Sequence, residues 1–297
     1  MTSVNAFFSS AYARQYATQL FTKADAPSNA AASTGHFAYV DRSAEGYASA
    51  TDRAMARIAE ILNGLNDDGD DTGSPRVDET SGYITAATGT SGDDTLTFKS
   101  VGLYNVDAGD GDDTVTVKTG AISNLNGGAG SDKLNLTAET AMDVSGGDGD
   151  DVINFSGSFA KDFDGGAGDD TLRVNAKTVM GVTGGDGNDT IEVTGERISL
   201  SGGTGDDTIT ITNKGEKAAE YNYAAGDGSD KISTDGPLKI NFTFGYTAND
   251  LTISTEGTTL TVKGANGDAI AVTLTNGSDP SAYEFGVEDG VLTLSIG

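Results

Sequence analysis

Between residues 89 and 234 large apolar side chains come in alternating pairs, and the pattern restarts about every nineteen residues. The pairs are Leu96 and Phe98, Val115 and Val117, Leu134 and Leu136, Ile153 and Phe155, Leu172 and Val174, Ile191 and Val193, Ile209 and Ile211, with Ile232 opening an eighth unit. Apolar residues two apart with polar residues between them mark a strand with one buried face. A second apolar pair follows later in the unit, as in Leu103 and Val106, Ile122 and Leu125, Val179 and Val182. One unit therefore reads as turn, strand, looser turn, strand. Neither short strand buries its apolar face alone, so the units must stack. The pattern predicts an all-β fold, a right-handed parallel β-roll or β-helix of about eight rungs. At roughly 4.8 Å per rung, its length is on the order of 35–40 Å.

The flanks break the pattern. Phe8, Tyr12, Tyr16 and Leu20 recur every four residues, and Thr51 precedes a second amphipathic run of Met55, Ile58, Ala59, Leu62 and Leu65. Residues 1–66 are expected to be helical and partly disordered, with the helices either capping the first rung or gripping a partner. Arg14 and Lys23 are too few basic residues to favour a membrane surface. An acidic linker is expected at 67–88, the roll at 89–234 and a β-rich cap at 235–297. A cap is needed because the last rung would otherwise expose an open edge and core.

The turns carry the chemistry. Each unit begins with a glycine-rich turn whose sixth position is always aspartate: Asp94, Asp113, Asp132, Asp151, Asp170, Asp189, Asp207 and Asp230. Successive steps are 19 residues five times, then 18, then 23, and the longest is read as a loop inserted near residues 213–223. Glycine fills the second and fourth turn positions at Gly109 and Gly111, Gly128 and Gly130, Gly147 and Gly149, Gly166 and Gly168. It does so again at Gly185 and Gly187, Gly203 and Gly205, Gly226 and Gly228. Glycine permits the positive φ angles that aim turn carbonyls at a common centre, and the aspartate adds a charged oxygen. Calcium takes 6–8 oxygen ligands and suits such a mixture, whereas magnesium prefers tighter octahedral geometry with retained waters. The 297 residues hold no cysteine and one histidine, so the array offers nothing to zinc.

The turn GGxGxD, followed by a large apolar residue, resembles the nonapeptide of the repeats-in-toxin (RTX), or haemolysin-type, family. The resemblance implies a β-roll with calcium held between like turns of adjacent rungs, each ion taking the position-six aspartates and backbone carbonyls of two turns. Eight turns would then form up to seven sites, with those inside 127–207 best matched to the motif. Thr90, Ala108 and Ala225 replace turn glycines in the outer units. The family's roll carries calcium turns along both sides. Here the second corner has sequences such as TKTGAIS and NAKTVMG, so a one-sided ladder is expected. The family also implies that the carboxyl-terminal region carries an uncleaved signal for type I secretion machinery.

Charge sharpens the picture. With 45 acidic and 18 basic residues the formal net charge is -27, which disfavours nucleic acid and anionic membranes as partners. Metal-free, the stacked aspartates would repel one another, and seven calcium ions would offset 14 of those charges. Extracellular calcium modules bind at about 10⁻⁴–10⁻³ M, so folding on export is expected. The amino end lacks the basic and apolar regions of a cleaved signal peptide, and no apolar stretch is long enough for a transmembrane segment. An extracellular, secreted or surface-associated location fits a route without an amino-terminal signal.

Catalytic motifs are absent. His36 lies in a low-complexity stretch, and no GxSxG, HExxH, Walker loop or dinucleotide fingerprint occurs. The sequence therefore predicts a non-catalytic calcium-binding protein with a surface, matrix, adhesion or host-contact role. Alternatives are an RTX toxin or exoenzyme relative whose array serves export and folding, and a solenoid ligand binder. Threonine pairs such as Thr95 and Thr97 would suit an ice-binding ladder, but Lys133, Val152, Arg173 and Glu192 interrupt it.

Overall fold

The computed structural model describes residues 75–79 and 82–297. Over that span the chain is all-β, a parallel solenoid of about nine turns. Each rung gives one strand to each of two 12-stranded sheets. Thr95–Lys99, Thr114–Lys118, Lys133–Thr137, Val152–Ser156 and their successors build the first sheet; Gly102–Asp110, Ala121–Ala129, Thr140–Asp148, Phe159–Ala167 and theirs build the second. Register is strict, with Leu134, Ile153, Leu172 and Ile191 aligned on successive strands. The inward side chains of both sheets form one buried cluster.

The longer strands bend midway, and this explains the spacing of three in the second apolar pair. Asn105, Asn124, Asp143 and Asp162 each take a positive φ between 51° and 59°, and Gly181 follows at 66°. Each adds one residue between two inward-facing side chains, as between Ile122 and Leu125. Asn and Asp tolerate this left-handed conformation better than other non-glycine residues. The next strand lacks the extra residue: Met180 pairs with Ser199 and Val182 with Leu200, with a register shift between them. The single 18-residue step is thus a rung without its bulge.

The solenoid is longer than the repeat. Pro75–Glu79 pairs in parallel with Thr95–Lys99, and Ala87–Thr90 with Gly102–Asp110, so strands occupy the later part of the expected linker. At the other end Leu238–Phe244 lies parallel to Ala219–Ala224, and Ala269–Leu274 parallel to Ser229–Thr234, adding a rung beyond residue 234. Antiparallel strands then close both sheets: Thr259–Gly264 and Leu251–Glu256 on the first, Val291–Ile296 and Tyr283–Glu288 on the second. In the 23-residue step Ala219–Ala224 is a strand, and the loop is confined to residues 214–218. The expected helices of residues 1–66 and His36 lie outside the described residues. Among the described residues no helix is long and apolar enough to cross a membrane.

Candidate functional site: an aspartate ladder

All eight sequence-identified aspartates fall in single file at one corner of the solenoid, and all are buried, from 1% to 4% exposed. The cause is local. In the seven turns from Gly109 to Gly228 the two turn glycines take φ between +95° and +134°, a region closed to other residues, and the chain reverses within a few residues. The aspartate ends that reversal, pointing inward beneath the turn. Where the second turn glycine is Gly147, an added β-carbon would sit 1.9 Å from the Gly128 carbonyl oxygen one rung earlier. The rungs thus approach too closely for any side chain there.

One oxygen of each carboxylate is used to link rungs. The backbone N–H of Asp94 donates to Oδ1 of Asp113 at 2.6 Å, and the same bond joins Asp113 to Asp132, Asp132 to Asp151, Asp151 to Asp170 and Asp170 to Asp189 at 2.7 Å. It continues from Asp189 to Asp207 at 2.8 Å and from Asp207 to Asp230 at 3.1 Å. A second, exposed ladder runs the other way one residue earlier. There the N–H of Asp112 donates to Asp93, that of Ser131 to Asp112, and that of Asp169 to Asp150. The pairing role of these outer acids follows from the close stacking of the turns.

The other oxygen is left over. Oδ2 of Asp113, Asp132, Asp151, Asp170, Asp189 and Asp207 is buried and has no hydrogen-bond partner. In turns that begin with glycine, this oxygen packs against the first glycine beside a carbonyl of the next rung. A β-carbon on Gly146 would lie 2.2 Å from Oδ2 of Asp151 and 2.4 Å from the Gly165 carbonyl oxygen, and Gly127, Gly165 and Gly184 repeat the arrangement. Burial pushes these carboxyls up: to about 7 for Asp113, Asp151 and Asp170, and to about 6 for Asp132, Asp189 and Asp207. The inter-rung N–H donors pull in the opposite direction, and neighbouring carboxylates add to the rise.

Among the described residues, no three acidic, histidine or cysteine side chains converge on one point. Each rung supplies one ladder carboxylate, so a cation here would draw its remaining oxygens from backbone carbonyls or water. A line of buried anionic oxygens without donors, flanked by carbonyls and lacking nitrogen or sulfur ligands, is chemistry that suits a hard divalent ion. Left uncompensated, each would cost free energy. No family model matches the sequence, and no curated protein matches it.

Proposed function

We propose that the aspartate ladder is a calcium-binding array and that the chain is a non-catalytic, calcium-dependent solenoid protein acting outside the cell. The observation that carries this reading is the run of six buried, unpartnered Oδ2 atoms from Asp113 to Asp207. The ligands would be these carboxylates and carbonyls of the flanking turns, including those of Gly146 and Gly165. Bound calcium would supply positive charge between rungs, offsetting the desolvation and mutual repulsion of the aspartates. Stacking then depends on the metal, because binding free energy becomes folding free energy. Millimolar calcium is an extracellular condition, and the likeness of the turns to the RTX nonapeptide points the same way, with export by type I secretion machinery.

The regularity of the ladder also favours a structural role. General acid–base catalysis uses two titrating groups placed in different surroundings so that one is protonated while the other is ionised. From Asp132 to Asp189 the surroundings repeat rung after rung. Equilibrium dialysis against calcium tests the reading: the wild-type chain is expected to bind several ions cooperatively. A double Asp151→Ala, Asp170→Ala variant is expected to bind fewer. Equal binding by both chains would contradict it.

A further inference from the structure

The two ends of the ladder differ from its middle. At the start, Oδ2 of Asp94 accepts the backbone N–H of Thr90 at 2.6 Å and the Thr90 hydroxyl at 2.9 Å. At the finish, Oδ2 of Asp230 accepts the Tyr221 hydroxyl at 2.5 Å, and that hydroxyl in turn accepts the Gly202 N–H at 3.2 Å. Tyr221 is fully buried. Its register partner one rung earlier is Leu200, which itself aligns with Val182, and the row continues through Phe163 and Val144. The phenol thus enters a row of apolar side chains and carries a hydroxyl to the corner where the carboxylates lie. It also reaches into the last gap between turns: a β-carbon on Gly202 would meet Oδ2 of Asp207 at 1.9 Å and the Tyr221 oxygen at 2.9 Å. Two residues on, the Tyr223 hydroxyl donates to the Gly228 carbonyl of the final turn at 2.5 Å.

Resting on the calcium reading above, we propose that Thr90 and Tyr221 are built-in terminators of the cation run. Their donors satisfy the first and last carboxylates, so Asp94 and Asp230 hold no ion and the sites are confined to the six carboxylates from Asp113 to Asp207. The eight motif turns then bind no more than six ions, fewer than the seven gaps between them. The terminators have a physical purpose. At the finish the following rung places Ile270, not an aspartate, in register with Asp230, and a hydroxyl or amide donor completes an end carboxylate without an ion. Both terminators stand where the sequence departs from the repeat, Thr90 in place of a turn glycine and Tyr221 just after the lengthened turn.

Calcium counted per chain by equilibrium dialysis at saturating calcium, in four chains, tests this. Asp230→Asn should leave the wild-type count unchanged, since the Tyr221 hydroxyl can accept from the new amide. Asp170→Asn should lower the count by at least one. Tyr221→Phe keeps the ring and removes the donor; the freed Asp230 carboxylate, next to Asp207, should raise the count by one. Loss of one ion in Asp230→Asn, or an unchanged count in Tyr221→Phe, overturns the terminator role while leaving the calcium array standing. A wild-type chain that binds no calcium overturns both.

Discussion

The N–H of Asp151 donates to Oδ1 of Asp170 at 2.7 Å, while Oδ2 of the same Asp170 carboxylate is buried without a partner. One side chain therefore does two opposite things: it stitches two rungs together and leaves an uncompensated charge between them. Asp170→Asn separates the two effects. The amide oxygen can still accept the Asp151 N–H, but the buried charge is gone. The metal-free chain should gain on the order of 1–3 kcal/mol at pH 8, while the gain in stability on adding calcium shrinks. Asp170→Ala removes the acceptor as well and strands the Asp151 N–H, which should place it about 1–3 kcal/mol below Asp170→Asn both without and with calcium. Denaturant melts in millimolar calcium, and far-UV circular dichroism in chelator, read the pattern for each variant against the wild type. A β signal in chelator weaker for Asp170→Asn than for the wild type would contradict it.

A pH dependence follows from the same burial. The carboxyls of Asp113, Asp151 and Asp170 lie near 7 and those of Asp132, Asp189 and Asp207 near 6, all above the ordinary aspartate value of 3.8. The folded state thus holds protons more tightly than the unfolded chain. This contribution to stability is fully present below about pH 4 and is lost as pH rises through 6 to 7. Metal-free protein should hold more β structure at pH 5 than at pH 8. Calcium should reverse the order, since protons compete for the same oxygens. Far-UV circular dichroism with chelator at the two pH values checks the first half; a stronger β signal at pH 8 would contradict it.

The turn glycines are tested at Gly166, where φ is +118° and a β-carbon would approach the Gly147 carbonyl oxygen to 1.9 Å. Backbone strain alone makes Gly166→Ala cost about 1–3 kcal/mol, and the clash with a neighbouring backbone adds to it. The exposed Gly257, with open space around its α-carbon, is the control. Its φ is +58°, in the left-handed region, so Gly257→Asn should cost well under half as much. Comparable losses at both positions would show that close stacking of the turns is not what requires glycine.

Much of this was legible in the sequence, for a physical reason. Strand alternation at Leu134 and Leu136 reports a buried face directly, and the aspartates share one place in a turn that glycine makes possible. The bulge was visible only as a spacing of three between Ile122 and Leu125. Asn105, Asn124, Asp143 and Asp162 at intervals of nineteen were its signal, because these residue types accept positive φ. The extra rungs were hidden because PRVDE becomes a strand by pairing with Thr95–Lys99, a non-local cause that leaves little trace in five residues. Tyr221 escaped notice for a similar reason. It lies where the repeat lengthens, and its partner Asp230 is set by the folded register.

Core packing offers a test independent of metal. Phe163 is fully buried, and its ring centroid lies 5.2 Å from that of Phe155 on the facing sheet. Phe163→Ala should destabilise the chain by about 3–5 kcal/mol in the presence of calcium, the usual cost of emptying a large core position. Denaturant unfolding at fixed calcium measures it. A loss below about 1 kcal/mol would mean that the two sheets are not packed face to face at this rung.

Far-UV circular dichroism across a calcium titration tests the central claim most directly. Starting from chelator at pH 8, a transition to a strong β signal is expected as calcium reaches about 10⁻⁴–10⁻³ M. Magnesium at the same concentration should not reproduce it, and excess chelator should reverse it. A β signal that is the same in chelator and in millimolar calcium would contradict the coupling of the aspartate ladder to folding.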